Sequence, residues 1–190
     1  SKKNINKKRN FLLKKRFKND NQKIFLFVGK LINRKGLDVL FKAIKILKEK
    51  NFSKNNKFLI IGSGSEEKKL KKMKKNYNLK NIYFLNFKDQ KDILYFYDVA
   101  DFLILPSYYE TWGLVVNESL EMGTPCIVSD GCGCANDLIK NYTNGFSFKN
   151  GNHIELANLM IKILNNDIKK TITSKSIKHS LKEFDLDNTV

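Results

Sequence analysis

The sequence predicts an α/β protein: an open, doubly wound parallel sheet of about six strands with helices on both faces. Short apolar runs recur along the chain and are continuous, not alternating, as expected of strands covered on both sides. Amphipathic stretches of helical period lie between them. The two kinds alternate through about 150 residues with no internal repeat or low-complexity linker, the pattern of right-handed strand-helix-strand crossovers.

The strands come first. "KIFLFVG" (Lys23 to Gly29), "KFLIIGSG" (Lys57 to Gly64) and "NIYFLNF" (Asn81 to Phe87) are apolar runs that end in glycine or a polar turn. "DFLILPS" (Asp101 to Ser107), "PCIVSDG" (Pro125 to Gly131) and "GFSF" (Gly145 to Phe148) repeat the pattern. The first helix is "LDVLFKAIKILKEK", where Leu37, Leu40, Phe41, Ile44 and Leu47 share one face. "SEEKKLKKMKKNY" opens on Ser65, read as an N-cap, with Glu66 and Glu67 in the first turn, where the helix dipole favours them. "DILYFYDVA", "LVVNESLEM", "CANDLIK", "HIELANLMIKILNN" and a last helix near "SIKHSLKEF" follow. Residues 1–22 are charged, with one weak helical pattern in "RNFLLKKRF", and read as an arm leading into a domain of residues 23–190. Both ends read as cuts through a larger protein.

A length of 190 residues with 42% hydrophobic and 12% aromatic content suits one compact domain and excludes a disordered chain. No apolar run approaches the ~20 residues of a membrane-spanning helix, and no apolar stretch of a signal peptide follows the charged N-terminus. The expectation is a soluble, cytoplasmic chain. A net charge of +17, carried by 36 basic residues of which three are Arg, favours anionic surfaces, phosphorylated small molecules and nucleic acids without choosing among them. Cys126, Cys132 and Cys134 are odd in number, and neither His153 nor His179 stands at metal-ligand spacing from them. They read as reduced thiols, and neither metal nor cofactor is expected.

In a doubly wound sheet, ligands bind beyond the carboxyl ends of the strands. After the first strand, "GKLINRKG" places Lys30, Arg34 and Lys35 between glycines and feeds a helix N-terminus, which suits an anion such as a diphosphate. After the second, "GSGS", with Gly62 and Gly64, runs into the next helix; an ordinary strand-to-helix turn would explain either loop alone, whereas two facing one edge favour function. The fourth strand leads to Glu110, Thr111, Trp112 and Gly113, with a helix starting near Trp112 to Leu114 and Glu118 one turn inside it. The amides at Gly113 and Leu114 then offer an anion site flanked by two carboxylates, which suit vicinal hydroxyls such as those of a ribose and a sugar. The bland reading makes Glu110 a favourable charge beside a helix N-terminus and Glu118, like Glu121, a solvated helix residue.

"FVGKLINRKGLDVLFKAIKIL", "FLIIGSGSEEKKL", "YFLNFKDQKDILYFYDVADFLILPSYYETWGLVVNESLEMGTPCIVSD" and "GCANDLIKNYTNGFSF", in this order, resemble the C-terminal domain of retaining glycosyltransferases of family 4 with the GT-B fold. The resemblance covers roughly residues 23–165. It implies a Rossmann-like domain forming one half of a GT-B fold. In that family two glutamates separated by seven residues close the donor site; here they are Glu110 and Glu118. The resemblance implies that Glu110 lies by the transferred sugar and Glu118 holds the nucleotide ribose. It further implies that the Gly113 and Leu114 amides bind the diphosphate together with Lys30 and Lys35. Two departures stand out: the family commonly has Arg at the position of Lys30, and usually Gly at that of Asn86.

The implied function is donor binding in a retaining hexosyl transfer from a nucleoside-diphosphate sugar, UDP-sugar before GDP-sugar, to an acceptor hydroxyl. Glycolipid, lipopolysaccharide or surface polysaccharide would be the product. The implied partners are the donor, an N-terminal acceptor domain of the same protein, and an anionic membrane touched peripherally at its inner face. The isolated domain should bind nucleotide and transfer little or no sugar. Another GT-B-fold enzyme (a phosphorylase or sugar-nucleotide epimerase) is one rival reading, and a basic nucleic-acid-binding domain is another. The charge alone suggests the second, and no aromatic-plus-basic signature supports it.

Overall fold

A computed structural model describes residues 16–17, 22–52, 56–165 and 172–187 of the chain. All six apolar runs are strands: β1 Ile24–Val28, β2 Lys57–Ile61, β3 Ile82–Leu85, β4 Phe102–Leu105, β5 Cys126–Ser129 and β6 Gly145–Phe148. They form one sheet in the order β3-β2-β1-β4-β5-β6, parallel throughout. Every residue of β1, β4 and β5 is buried, which is why their sequences carry no alternation.

The helices are α1 Leu37–Glu49, α2 Glu67–Asn76, α3 Gln90–Val99, α4 Leu114–Glu121, α5 Cys134–Leu138, α6 His153–Leu164 and α7 Ser174–Asp187. Packing partners place α1, α2 and α6 on one face, and α3, α4, α5 and α7 on the other. The chain winds outward from β1 to β3, crosses the sheet through α3, and winds the other way from β4 to β6. The order of strands therefore reverses between β1 and β4, and their carboxyl ends open a crevice there. On α1 the predicted face of Leu37, Leu40, Phe41, Ile44 and Leu47 is buried, and each such side chain contributes roughly 1.5–3 kcal/mol by leaving water.

Two expectations change. Ser65 does not cap α2: the helix starts at Glu67 after Glu66, whose amide donates to the Leu31 carbonyl at 2.9 Å. A backbone acceptor from the neighbouring loop has taken the role that sequence assigned to a side chain. Of the residues 1–22 read as an arm, Arg16, Phe17 and Gln22 are among those described. Phe17 is buried, meets Tyr83 of β3 edge-on at 6.0 Å, and its carbonyl accepts from Lys57 Nζ at 2.9 Å. That part of the segment lies outside the sheet yet belongs to the core. The rest of "RNFLLKKRF" lies outside the described residues.

Cys126, Cys132 and Cys134 are free, buried thiols. Burial pushes Cys132 up to about 12 and Cys134 up to about 11, and raises Cys126 as well, from an ordinary value of 9.0. Tyr108 is raised to about 12, first by burial and then by its hydrogen bond to Asp38. Between the ordinary thiol range and these values the native chain keeps protons that the unfolded chain releases, so stability present below pH ~8.5 is lost as pH rises. The urea midpoint is expected to hold level to about pH 8.5 and to fall steadily towards pH 11; a level midpoint across that interval would contradict the assignment.

One backbone position ties the crevice together. Gly36 has φ 62°, and a Cβ there would lie 2.0 Å from the Pro106 carbonyl oxygen at the end of β4. Gly36→Ala is expected to destabilise the fold by more than ~1 kcal/mol in denaturant titration, since strain and collision act together.

Candidate functional site

The loop after β1 is held from both sides. Gly29 N donates to the Ile61 carbonyl at 3.0 Å and Leu31 N to that of Ser63 at 2.9 Å, which seats residues 29–36 on the loop after β2. Gly62 and Gly64 make this seating possible: a Cβ on either would lie 1.9 and 2.4 Å from the carbonyls of Gly29 and Leu31. Their observed role is close backbone packing. A single 3₁₀ turn, Asn33–Lys35, then aims the chain at β4. There Tyr108 N donates to the Arg34 carbonyl at 2.8 Å.

This docking brings Lys35 to Glu110. Lys35 Nζ donates to Glu110 Oε2, with the two side chains 12% and 14% exposed. On its other side Glu110 is strapped to the loop after β5: its amide donates to Gly131 at 3.1 Å, and its carbonyl accepts from Gly133 at 2.9 Å. Glu110 is therefore neither a solvated carboxylate nor a helix cap. It is a largely enclosed charge held between two loops, paired with a cation 75 residues away in sequence.

Gly113, at φ 106°, turns the chain into α4. No side chain caps this helix and its first turn holds no acidic residue, so its free amides have no side-chain acceptor of their own. Leu114 is 69% exposed at that end. Thr111 is exposed, and Trp112 is half-buried with its indole Nε1 donating to Asn117 at 2.9 Å. That bond locks the Trp112 ring onto the first turns of α4.

Glu118 is gripped from α3. Gln90 Nε2 donates to one carboxylate oxygen at 3.2 Å, and the Tyr97 hydroxyl donates to the other at 2.8 Å. Tyr97 is fully buried, and burial together with this bond raises its hydroxyl above the ordinary range. Glu118 is thus the acceptor for a core hydroxyl. The solvated reading of Glu118 fails, while Glu121, on the same helix, is exposed as expected.

Lys30 is exposed and does not join Lys35 and Glu110 in their pair. It lines a cavity of about 310 Å³ with Val28, Gly29, Ile61, Gly62, Ser63, Phe87, Lys88 and Ile93. Ile93 lies one turn from Gln90 on α3, so helix α3 connects the cavity wall to Glu118. Gln90, Tyr97, Phe87, Lys88, Ile93 and Asn117 were not singled out from sequence. Gln90 and Tyr97 are seven apart on one helix face, but nothing in that spacing names a carboxylate on another helix as their target.

The site thus offers two ammonium groups, an uncapped helix N-terminus, two oriented carboxylates and an apolar cavity along one sheet edge. Such a set accepts an anion flanked by hydroxyl-bearing and flat apolar groups. No helix among the described residues is long and apolar enough to cross a membrane.

Comparison with known proteins agrees with this frame. An uncharacterized glycosyltransferase of Methanocaldococcus jannaschii is 33% identical over 127 residues, spanning 66% of this chain and 32% of that protein. An Escherichia coli UDP-Gal:alpha-D-GlcNAc-diphosphoundecaprenol alpha-1,3-galactosyltransferase is 28% identical over 85% of this chain and 41% of its own length. The chain thus spans less than half of these relatives. The crystal structure of Anabaena HepE in complex with UDP shares the fold, with a TM-score of 0.80 at 22% identity over 93% of this chain and 49% of that one. The family described as glycosyl transferases group 1 matches residues 8–180, and this chain, with its Rossmann-like GT-B domain, belongs to it.

Proposed function

We propose that the chain is the donor-binding half of a retaining hexosyltransferase that uses a nucleoside-diphosphate sugar, with UDP as the carrier. The observation that carries this reading is the arrangement around α4. An uncapped helix start lies between Glu110, which is paired with Lys35, and Glu118, which is held by Gln90 and Tyr97. The diphosphate is held by Lys30, Lys35 and the amides at Gly113 and Leu114. Glu118 accepts from the ribose hydroxyls with the lone pairs that Gln90 and Tyr97 leave open. Glu110 accepts from the hydroxyls of the transferred hexose, with Thr111 and Trp112 framing it. The loops joined at Gly62 and Gly64 wall the cavity that receives the flat base. The HepE structures with UDP and with UDP-glucose support the ligand class by fold likeness.

In the reaction the bond between the anomeric carbon and the diphosphate oxygen breaks, its electron pair staying on that oxygen. The acceptor oxygen bonds to the anomeric carbon on the same face, and its proton passes to the departing diphosphate. Lys30, Lys35 and the α4 dipole stabilise the charge that develops on the leaving group, and their fixed positions cost no reorganisation as it forms. Glu110 orients the sugar and supports positive charge at the anomeric region; it is not a nucleophile here. An N-terminal acceptor domain of the same protein completes the site, so this chain alone transfers little or no sugar.

Calorimetry with UDP and GDP is expected to give micromolar binding, with UDP the tighter. Glu118→Ala should weaken it about 10- to 100-fold, the worth of hydrogen bonds to a charged group. The same variant strips the buried Tyr97 hydroxyl of its acceptor, so it should also lower the melting temperature. Tyr97→Phe, which removes the hydroxyl itself, should bind nucleotide better than Glu118→Ala. Salt-sensitive binding to a short duplex with no nucleotide binding would overturn the reading in favour of a nucleic-acid module.

A second contact is supported by a specific patch. Lys175, Lys178, His179 and Lys182 of α7 line one groove of about 430 Å³, and the Escherichia coli relative acts on an undecaprenol-linked acceptor. We propose that this basic face rests on an anionic bilayer at the inner side of the membrane, where each Lys near the surface contributes about 1 kcal/mol. Sedimentation with phosphatidylglycerol vesicles should exceed that with phosphatidylcholine, and Lys175→Glu with Lys178→Glu and Lys182→Glu should erase the difference. Equal partition of the unaltered chain would contradict it.

A further inference from the structure

We propose that the Lys35–Glu110 ion pair is an internal rival for the diphosphate, displaced when a sugar-bearing donor binds and re-formed as the sugarless product leaves. The inference rests on the donor-site reading above and concerns how that site releases what it holds.

Lys35 Nζ and Glu110 Oε2 are bonded to each other, and both side chains are nearly nine-tenths enclosed. Their attraction is therefore screened less than that of a surface pair. Neither has another hydrogen-bonded side-chain partner among the described residues. The loops that carry them are fixed to each other by the Tyr108–Arg34 bond, so the pair is built into the backbone and is not a chance meeting of flexible side chains. A diphosphate that takes Lys35 leaves Glu110 without its cation and beside new negative charge.

The two ligands resolve that conflict differently. A donor still carrying its hexose brings hydroxyl groups that donate to Glu110 and replace the ammonium. A nucleoside diphosphate without sugar brings none, so the bare carboxylate repels the phosphates and draws Lys35 back. The pair thus discriminates donor from product at the point where the two differ, and it drains affinity from the product.

The test is calorimetry of this chain with UDP and UDP-glucose in a double-mutant cycle. Glu110→Gln removes the rival charge at nearly constant shape and should tighten UDP about 3- to 10-fold. UDP-glucose should gain less, narrowing the preference for the sugar-bearing ligand. Lys35→Met should weaken UDP, and in that background Glu110→Gln should tighten it much less, since only the direct repulsion remains to be removed. Glu110→Ala serves as a second probe, with the same expected direction for UDP and thermal melts to check folding. Unchanged or weaker UDP binding by both Glu110 variants overturns the proposal while leaving the donor site standing. Equal tightening with and without Lys35 overturns it too, because simple repulsion would then suffice. Failure of the unaltered chain to bind any nucleoside diphosphate removes the site reading and this proposal together.

Discussion

The site depends on a contact thinner than a side chain: the backbone of Gly36 lying directly on the carbonyl of Pro106. Strand order alone brings the ends of β1 and β4 next to each other. The loops that follow them would still diverge if either carried bulk where they touch. With no Cβ in the way, the 3₁₀ turn seats against β4, Tyr108 bonds to Arg34, and Lys35 arrives at Glu110. The same device operates one strand over, where Gly62 and Gly64 admit the carbonyls of the first loop. The crevice is here made from backbone packed on backbone, with the charged side chains hung from it.

A second theme is the merging of core and site at Glu118. One carboxylate oxygen satisfies a tyrosine hydroxyl in the interior while the other accepts from the exposed Gln90. Burying a hydroxyl without a partner costs more than the bond itself returns, so the interior has a stake in this glutamate independent of any ligand. Glu110 is constrained in another way, by backbone straps on one side and an ammonium on the other. The two carboxylates share a helix start and differ in what fixes them.

Much of the fold was legible in sequence because it rests on continuous local signals. Six apolar runs became six strands, and the apolar face of α1 was read residue by residue. The misreading of Ser65 has a plain cause: helix-start rules assume that a side chain must satisfy the free amides, and here a carbonyl from another loop did so. Glu110, Lys35 and Glu118 were named in advance, with roles taken from the resemblance to a known family, since spacing left the bland account open. Their actual partners, Lys35 for Glu110 and Gln90 and Tyr97 for Glu118, could not be read, because contacts between separate elements leave no period in the chain. The apolar cavity was invisible for the same reason: its walls come from three strand ends and a helix.

The distance in sequence between Lys35 and Glu110 also bears on how the molecule is made. The pair closes a loop of 75 residues, and the Lys23–Asp101 bridge at the opposite ends of β1 and β4 closes one of 78. Strands β1, β2 and β3 pair among nearest neighbours in the chain, whereas β4 must return past all of them to lie beside β1. Closing so long a loop is entropically expensive and is rewarded only by contacts that form afterwards. The crevice therefore carries a larger loop-closure cost than the pairings of β1 with β2 and β2 with β3. A nascent chain stopped before β4 holds half a sheet and neither Glu110 nor Glu118, so the crevice exists only once the central strand pairing is complete.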